Sequence, residues 1–177
     1  MHVEGDGGDA ADRDERVRSE TQQWELLVRA VDEDRNRELA STPPDWAARL
    51  PRFDGEVLVD DAARWFAGTD FGKVRHREPA VVLRPAGVDD VVRAVQFCRA
   101  EGVPLAPRGC AHSAGGQMMA PAGVVLDMRS MDRVLEVGDA YCDVEGGAQW
   151  REVLVAAVER GLSPPVVTDW LGVSVGG

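Results

Sequence analysis

Cations are in the minority in this 177-residue sequence: 20 Lys and Arg stand against 31 Asp and Glu, a formal net charge of −11. With no cationic cluster to attract a phosphate backbone, a nucleic-acid partner is excluded. Cysteine is sparse: Cys98, Cys110 and Cys142 are odd in number, widely spaced and without a C-x-x-C pair. That excludes a disulfide framework and a zinc cage, and it points to a reducing compartment. Histidine is rarer in effect, since His2, His76 and His112 are scattered and supply no ligand cluster for a metal. No apolar run approaches the length of a membrane span, and Met1-His2-Val3-Glu4-Gly5-Asp6 has neither the basic nor the apolar region of a secretory leader. The expectation is a soluble, cytoplasmic chain with no membrane partner.

What is present suffices for one domain, since a chain this long buries roughly 70% of its unfolded surface. Residues 1–20 hold Asp, Glu, Arg and Gly with almost nothing apolar, and read as a disordered acidic tail. Residues 21–50 read as an N-terminal helical segment, with Trp24, Leu27, Val28 and Val31 at helical spacing between Gln22 and Leu39, ended by Ser41-Thr42-Pro43-Pro44. From residue 51 to 177, short apolar runs alternate with helical patterns, an α+β signature.

Within that region Ala80–Leu83 reads as a buried strand. A helix from Val88 to Glu101 follows, with Val88, Val91, Val92, Val95 and Cys98 on its inner face and Gly102 as its stop. The next strand, Val103–Pro107, is expected parallel to the first by a right-handed crossover. Gly123–Met128, Val134–Val137 and Tyr141–Glu145 read as further strands. Gly146-Gly147 is expected to open a last helix with Trp150, Val153, Leu154, Ala157 and Val158 inward and Gly161 as its stop, before a short strand at Val166-Val167. The closing Val173-Ser174-Val175-Gly176-Gly177 looks like the start of another turn, so the architecture is expected to be incomplete at this end.

The chemistry concentrates in Pro107-Arg108-Gly109-Cys110-Ala111-His112-Ser113-Ala114-Gly115-Gly116-Gln117, a turn of small residues after a buried strand. Such a turn exposes backbone N–H groups to an anionic or planar ligand. Ala111-His112-Ser113-Ala114-Gly115 imitates a serine-hydrolase elbow, but that triad needs a histidine downstream of the serine, and all three histidines lie upstream of Ser113. The loop also leads into a proline and a strand rather than a helix. A Rossmann fingerprint fails on spacing, because Gly109, Gly115 and Gly116 do not form Gly-x-Gly-x-x-Gly before a helix. A cradle for a flavin remains, with His112 facing the ring.

Three blocks then carry a resemblance: Pro107-Arg108-Gly109-x-x-His112-Ser113-x-x-Gly116-Gln117; Gly123-Val124-Val125-Leu126-Asp127-Met128-Arg129-Ser130; and Pro164-Pro165-Val166-Val167-Thr168-Asp169-Trp170-Leu171-x-Val173-Ser174-Val175-Gly176-Gly177. In this order they resemble the cytokinin dehydrogenases, within the vanillyl-alcohol-oxidase type of FAD-binding flavoproteins. The resemblance covers about Ala80 to Gly177. It implies a PCMH-type FAD-binding domain of two α+β lobes with FAD between them, joined covalently to His112. Pro107, Gly109, Ala111, Ser113, Gln117, Asp169 and Ser174 are then cofactor-lining residues, and Asp169 is also the catalytic acid. It further implies a small-molecule substrate of the N6-substituted adenine type and, given the early end, a separately encoded C-terminal half as partner.

The implied reaction is oxidation of an amine C–N bond. Two other readings stay open: a PCMH-type oxidase acting on an alcohol or sugar, and a degenerate fragment that binds no flavin. Ala111 departs from the pattern, since glycine usually stands there and a positive φ would strain an alanine.

Overall fold

The computed structural model describes residues 44–176. The acidic tail and the Gln22–Leu39 helix expected from sequence lie outside the described residues. Of the 21–50 segment only the end is described, where Asp45–Arg49 forms a 3-10 helix.

A four-stranded sheet in the order β1-β2-β4-β3 forms the centre. Its strands are β1 (Glu56–Leu58), β2 (Val81–Arg84), β3 (Leu105–Arg108) and β4 (Val124–Asp127). The Val-Val-Leu cores of β2 and β4 favour extended backbone and are buried throughout, as parallel strands covered on both faces require. β2 and β4 pair in parallel with Val81 opposite Val124, and β3 pairs in parallel with β4, Leu105 opposite Val124. The two strands joined by the crossover are therefore parallel, as expected, with β4 inserted between them. Pro107 explains why β3 takes the edge: it has no N–H to give a second neighbour. β1 closes the other edge antiparallel to β2.

Helix α1 (Asp61–Ala67) covers one face of the sheet and α2 (Val88–Glu101) the other. The limits of α2 and its stop at Gly102 (φ 66°) agree with the sequence expectation. Its inner face agrees only in part, for Cys98, which is buried, and Val91, which packs against the core. Asp90, Ala94 and Cys98, four residues apart, are buried, whereas Val88, Val92 and Val95 are 65%, 45% and 47% exposed. The Asp90 carboxylate turns the helix this way, because it accepts backbone N–H groups from Ala86 (2.9 Å), Asp54 (3.0 Å) and Gly55 (2.9 Å) and a charged bond from Arg93. Burial alone would raise the Asp90 carboxyl; these donors outweigh burial and bring it down to about 2. The small Ala94 and Cys98 then pack with Val81, Leu83, Val124 and Leu126.

The second lobe joins the antiparallel pair β5 (Val134–Val137) and β6 (Cys142–Val144) to helix α3 (Trp150–Glu159). The expected strands are present, but Gly146-Gly147 does not open the helix. α3 starts after Gln149, whose side chain and Glu152 form a reciprocal capping box. Gly147 serves close packing instead: a Cβ there would lie 1.9 Å from the Met128 carbonyl oxygen. Val153 and Ala157 face inward as expected, while Val158 is 60% exposed. The expected strand at Val166-Val167 is an exposed bend, because no neighbouring strand offers it a ladder and Pro164-Pro165 supply no N–H groups.

Candidate cofactor site

β3 ends at Arg108, and residues 109–117 leave the carboxyl edge of the parallel sheet, where open α/β sheets bind ligands. Arg108 is buried at the root of this loop. Its guanidinium lies 4.6 Å from the centre of the Phe66 ring, donates to the Phe66 carbonyl at 3.1 Å, and keeps a buried Nε with no hydrogen-bond partner among the described residues. Arg129 approaches the same ring at 5.1 Å. Burial, with the like charge of Arg129, lowers the Arg108 pKa. Arg129 grips the buried Asp127 through two bonds of 2.7 and 2.6 Å. Burial raises the Asp127 carboxyl, and the charged bonds from Arg129 more than reverse this, leaving it below the usual carboxylate range.

The loop turns through Ala111, whose φ is +59°. This is the left-handed conformation in which the sequence pattern expects glycine, so the alanine carries strain of roughly 1–2 kcal/mol. The N–H groups of Ala111, His112, Ser113 and Ala114 donate to no other described residue. A left-handed turn with successive unengaged N–H groups is a nest for an anion.

The expected site residues fall into four groups. Ala111, His112, Ser113 and Gln117 share the loop. His112 is exposed, its ring stacked on Phe71 (5.3 Å between centroids, 16°) and 6.3 Å from Trp170. Ser113 Oγ donates to Asp70 Oδ2 at 3.0 Å, and Gln117 folds back to accept from the Gly115 N–H at 3.1 Å. Ser174, buried, belongs to the segment beside α3; its Oγ accepts the Cys110 N–H at 3.1 Å and so ties that segment to the loop. Pro107 and Gly109 lie at the root, where Pro107 is exposed on the edge strand and Gly109 is buried. Asp169 is exposed, in contact with Thr168 Oγ1 at 3.4 Å, and reaches the site through its neighbour Trp170.

Ser113 gives its proton to a carboxylate rather than to an imidazole, which is not the bonding of a hydrolytic serine. Asp70 and Phe71 escaped sequence reasoning because their loop partners, Ser113 and Gly116 for Asp70 and Ala111 and His112 for Phe71, are distant in the sequence. The only local sign was the turn composition of Thr69-Asp70-Phe71-Gly72. A separate cavity of about 490 Å³ opens between α1 and the sheet, lined by Asp60, Phe66, Arg84, Asp127 and Arg129 among others; the His112 loop does not border it.

Together, the open N–H groups and the Arg108 charge suit a ligand that is anionic at one end, and the aromatic contacts around His112 suit one that is planar at the other. The fold and the loop thus define a module for a nucleotide-type cofactor. The family described as FAD binding domain matches residues 79–177. The chain is 42% identical over 119 residues to an "Uncharacterized oxidoreductase ORF5 in fasciation locus" of Rhodococcoides fascians, a match over 67% of this chain and 27% of that protein. It is also 42% identical over 130 residues to cytokinin dehydrogenase 7 of Oryza sativa subsp. japonica, over 69% of this chain and 25% of that protein. Among solved structures, 6-hydroxy-D-nicotine oxidase from Arthrobacter nicotinovorans shares the fold with a TM-score of 0.57 at 22% identity, over 63% of this chain and 25% of that one. An alkyldihydroxyacetonephosphate synthase does so with a TM-score of 0.58, also at 22% identity, over 68% of this chain and 27% of that one.

The chain belongs to the FAD-binding-domain family, and its cofactor is FAD. It spans about a quarter of the length of the relatives it matches. Among the described residues no helix is long and apolar enough to cross a membrane.

Proposed function

We propose that this chain is the FAD-binding part of a cytokinin dehydrogenase-like oxidoreductase, working in the cytoplasm on an N6-substituted adenine. The single observation that carries the reading is the meeting of two sequence-distant blocks at His112, whose ring contacts Trp170, the residue after Asp169. That contact supports a shared site for the histidine expected to hold the flavin and the block that carries the acid expected to act on substrate. The acidic tail at 1–20 and the helical segment at 21–50 precede this FAD-binding part in the proposed domain order.

FAD supplies an acceptor for the hydride that leaves the carbon next to the substrate nitrogen. The protein's share is positioning and proton handling. The N–H groups of Ala111–Ala114 receive the diphosphate, Pro107, Gly109 and Gln117 shape the mouth of the loop, and Ser174 pins its first turn through Cys110. Ser113 has its proton committed to Asp70, so toward the cofactor its hydroxyl acts as an acceptor. His112, whose ring Phe71 and Trp170 position, would hold the flavin ring and is the side chain of this loop able to carry a covalent link to it. Asp169, exposed and without a cationic partner among the described residues, accepts a hydrogen bond from the substrate's side-chain amine and draws off its proton as hydride departs. The resulting imine is hydrolysed by water to an aldehyde and adenine.

The test is to purify the chain alone and together with a candidate C-terminal half, then precipitate each with acid. A yellow pellet that becomes colourless in His112→Ala supports the covalent link. Colourless pellets from both preparations overturn it.

A further inference from the structure

Asp70, Phe71 and Gly72 form a clasp against the cofactor loop, each residue through a different bond. Asp70 is 4% exposed, and its Oδ2 accepts from Ser113 Oγ at 3.0 Å and from the Gly116 N–H at 2.8 Å, while Oδ1 accepts from the Lys73 N–H at 3.1 Å. The Phe71 N–H donates to the Ala111 carbonyl at 2.8 Å, and its ring stacks on His112. The Gly72 N–H donates to the Ser113 carbonyl at 3.2 Å, and a Cβ at Gly72 would lie 2.6 Å from the Ala114 Cα, so only glycine allows this approach. A bridge between Thr69 and His76 closes the clasp at its base.

Both strands of the clasp are strained. Lys73 (φ 51°) and Ala111 (φ 59°) are two of three non-glycine residues with positive φ among the described residues. Such strain persists only where surrounding bonds over-determine it. Here those bonds are the ones that Asp70-Phe71-Gly72 makes.

We propose that Asp70 is a positioning residue that holds the loop in its cofactor-receiving form. This rests on the FAD reading above for its functional consequence, though not for its structural one. The carboxylate bonds the turn at Ser113 and at Gly116 and leaves the N–H groups of Ala111–Ala114 open, while that of Gly115 is taken by Gln117. It also fixes the rotamer of Ser113 as a donor away from the cofactor. An asparagine at this position keeps one acceptor oxygen and turns an N–H₂ toward a group that is itself a donor, the Lys73 N–H or the Gly116 N–H, so at least one of the three bonds that hold the clasp must break. Alanine removes both.

The test uses the 177-residue chain and the variants Asp70→Asn, Asp70→Ala and Ser113→Ala. Amide hydrogen exchange is followed first without FAD, then FAD is titrated in and read by flavin fluorescence. The expected result is exchange at the bonded N–H groups of Phe71, Gly72 and Gly116 accelerated about tenfold or more in Asp70→Ala and less in Asp70→Asn, with β4 unchanged. FAD affinity should fall in the same order, and Ser113→Ala should add nothing to Asp70→Ala. Loop protection retained in both Asp70 variants, or protection lost evenly across the sheet, overturns the proposal. Should Asp70→Ala not fold, Asp70→Asn and Ser113→Ala decide between the same outcomes. Wild-type chain that takes up no FAD contradicts the FAD reading, while the exchange data still decide the role of Asp70.

Discussion

Asp70 and Asp169 each precede an aromatic residue that contacts the His112 ring, Phe71 and Trp170 respectively, yet the two carboxylates are used in opposite ways. Asp70 is buried and takes three donors; Asp169 is exposed and, among the described residues, has its side-chain hydrogen bond with Thr168 alone. A carboxylate saturated by the protein's own donors fastens structure, because its lone pairs are spent and its removal orphans buried N–H groups. One left open is a reagent, since it can take a substrate proton without breaking anything. Asp90 repeats the first pattern on the far side of the sheet, where it accepts from Ala86, Asp54, Gly55 and Arg93.

The contrast can be broken from the fastening side first. Asp90→Ala orphans three backbone donors and takes one of the two carboxylate partners of Arg93, leaving Asp54, and is expected to cost roughly 3–5 kcal/mol in a urea titration. The same group gives a pH signature. Its folded pKa of about 2 lies below the unfolded value near 4, so the unfolded chain binds the extra proton between them. Stability from this group is complete above about pH 4 and is lost as pH falls toward 2, by roughly 2–3 kcal/mol in total. Asp90→Asn should flatten that slope.

On the reagent side, Asp169→Asn is expected to lower amine oxidation by about a hundredfold or more in the complete enzyme. Its stability should shift by less than about 0.5 kcal/mol, because the side chain is exposed. A large stability loss with intact turnover would merge the two classes of carboxylate. A smaller effect concerns the strain that the clasp holds. Ala111→Gly relieves the positive φ and is expected to stabilise the chain by about 1 kcal/mol or somewhat less, since glycine also frees the unfolded state. Thermal melts measure it. Smallest of all, Val92→Lys on the exposed side of α2 should change stability by less than about 0.5 kcal/mol, whereas the sequence pattern placed Val92 in the core.

That last case marks where the sequence was legible. The strands β2 and β4, the extent of α2 and the FAD-binding family were readable because each rests on local signals: valine runs, a glycine stop, motif blocks in a fixed order. The inner face of α2 was not. Its valines sit at helical spacing, but the bonds of Asp90 to Ala86 and to the distant Asp54 and Gly55 outrank them. The Val166-Val167 pair failed for a similar reason, since strand propensity without a partner edge yields only a bend. In the site, the strain at Ala111 followed from its departure from glycine. Asp70 and Phe71 stayed hidden because a clasp across 43 residues leaves no periodicity in the chain.

The most direct measurement is an FAD titration of the 177-residue chain beside Ala114→Glu, which sets a carboxylate at the exposed edge of the open N–H groups. Saturable quenching of flavin fluorescence by the wild-type chain, weakened about tenfold or more in Ala114→Glu, is the expected result. Equal binding by the two chains, or none by the wild type, would contradict the assignment of the His112 loop as the seat of the cofactor.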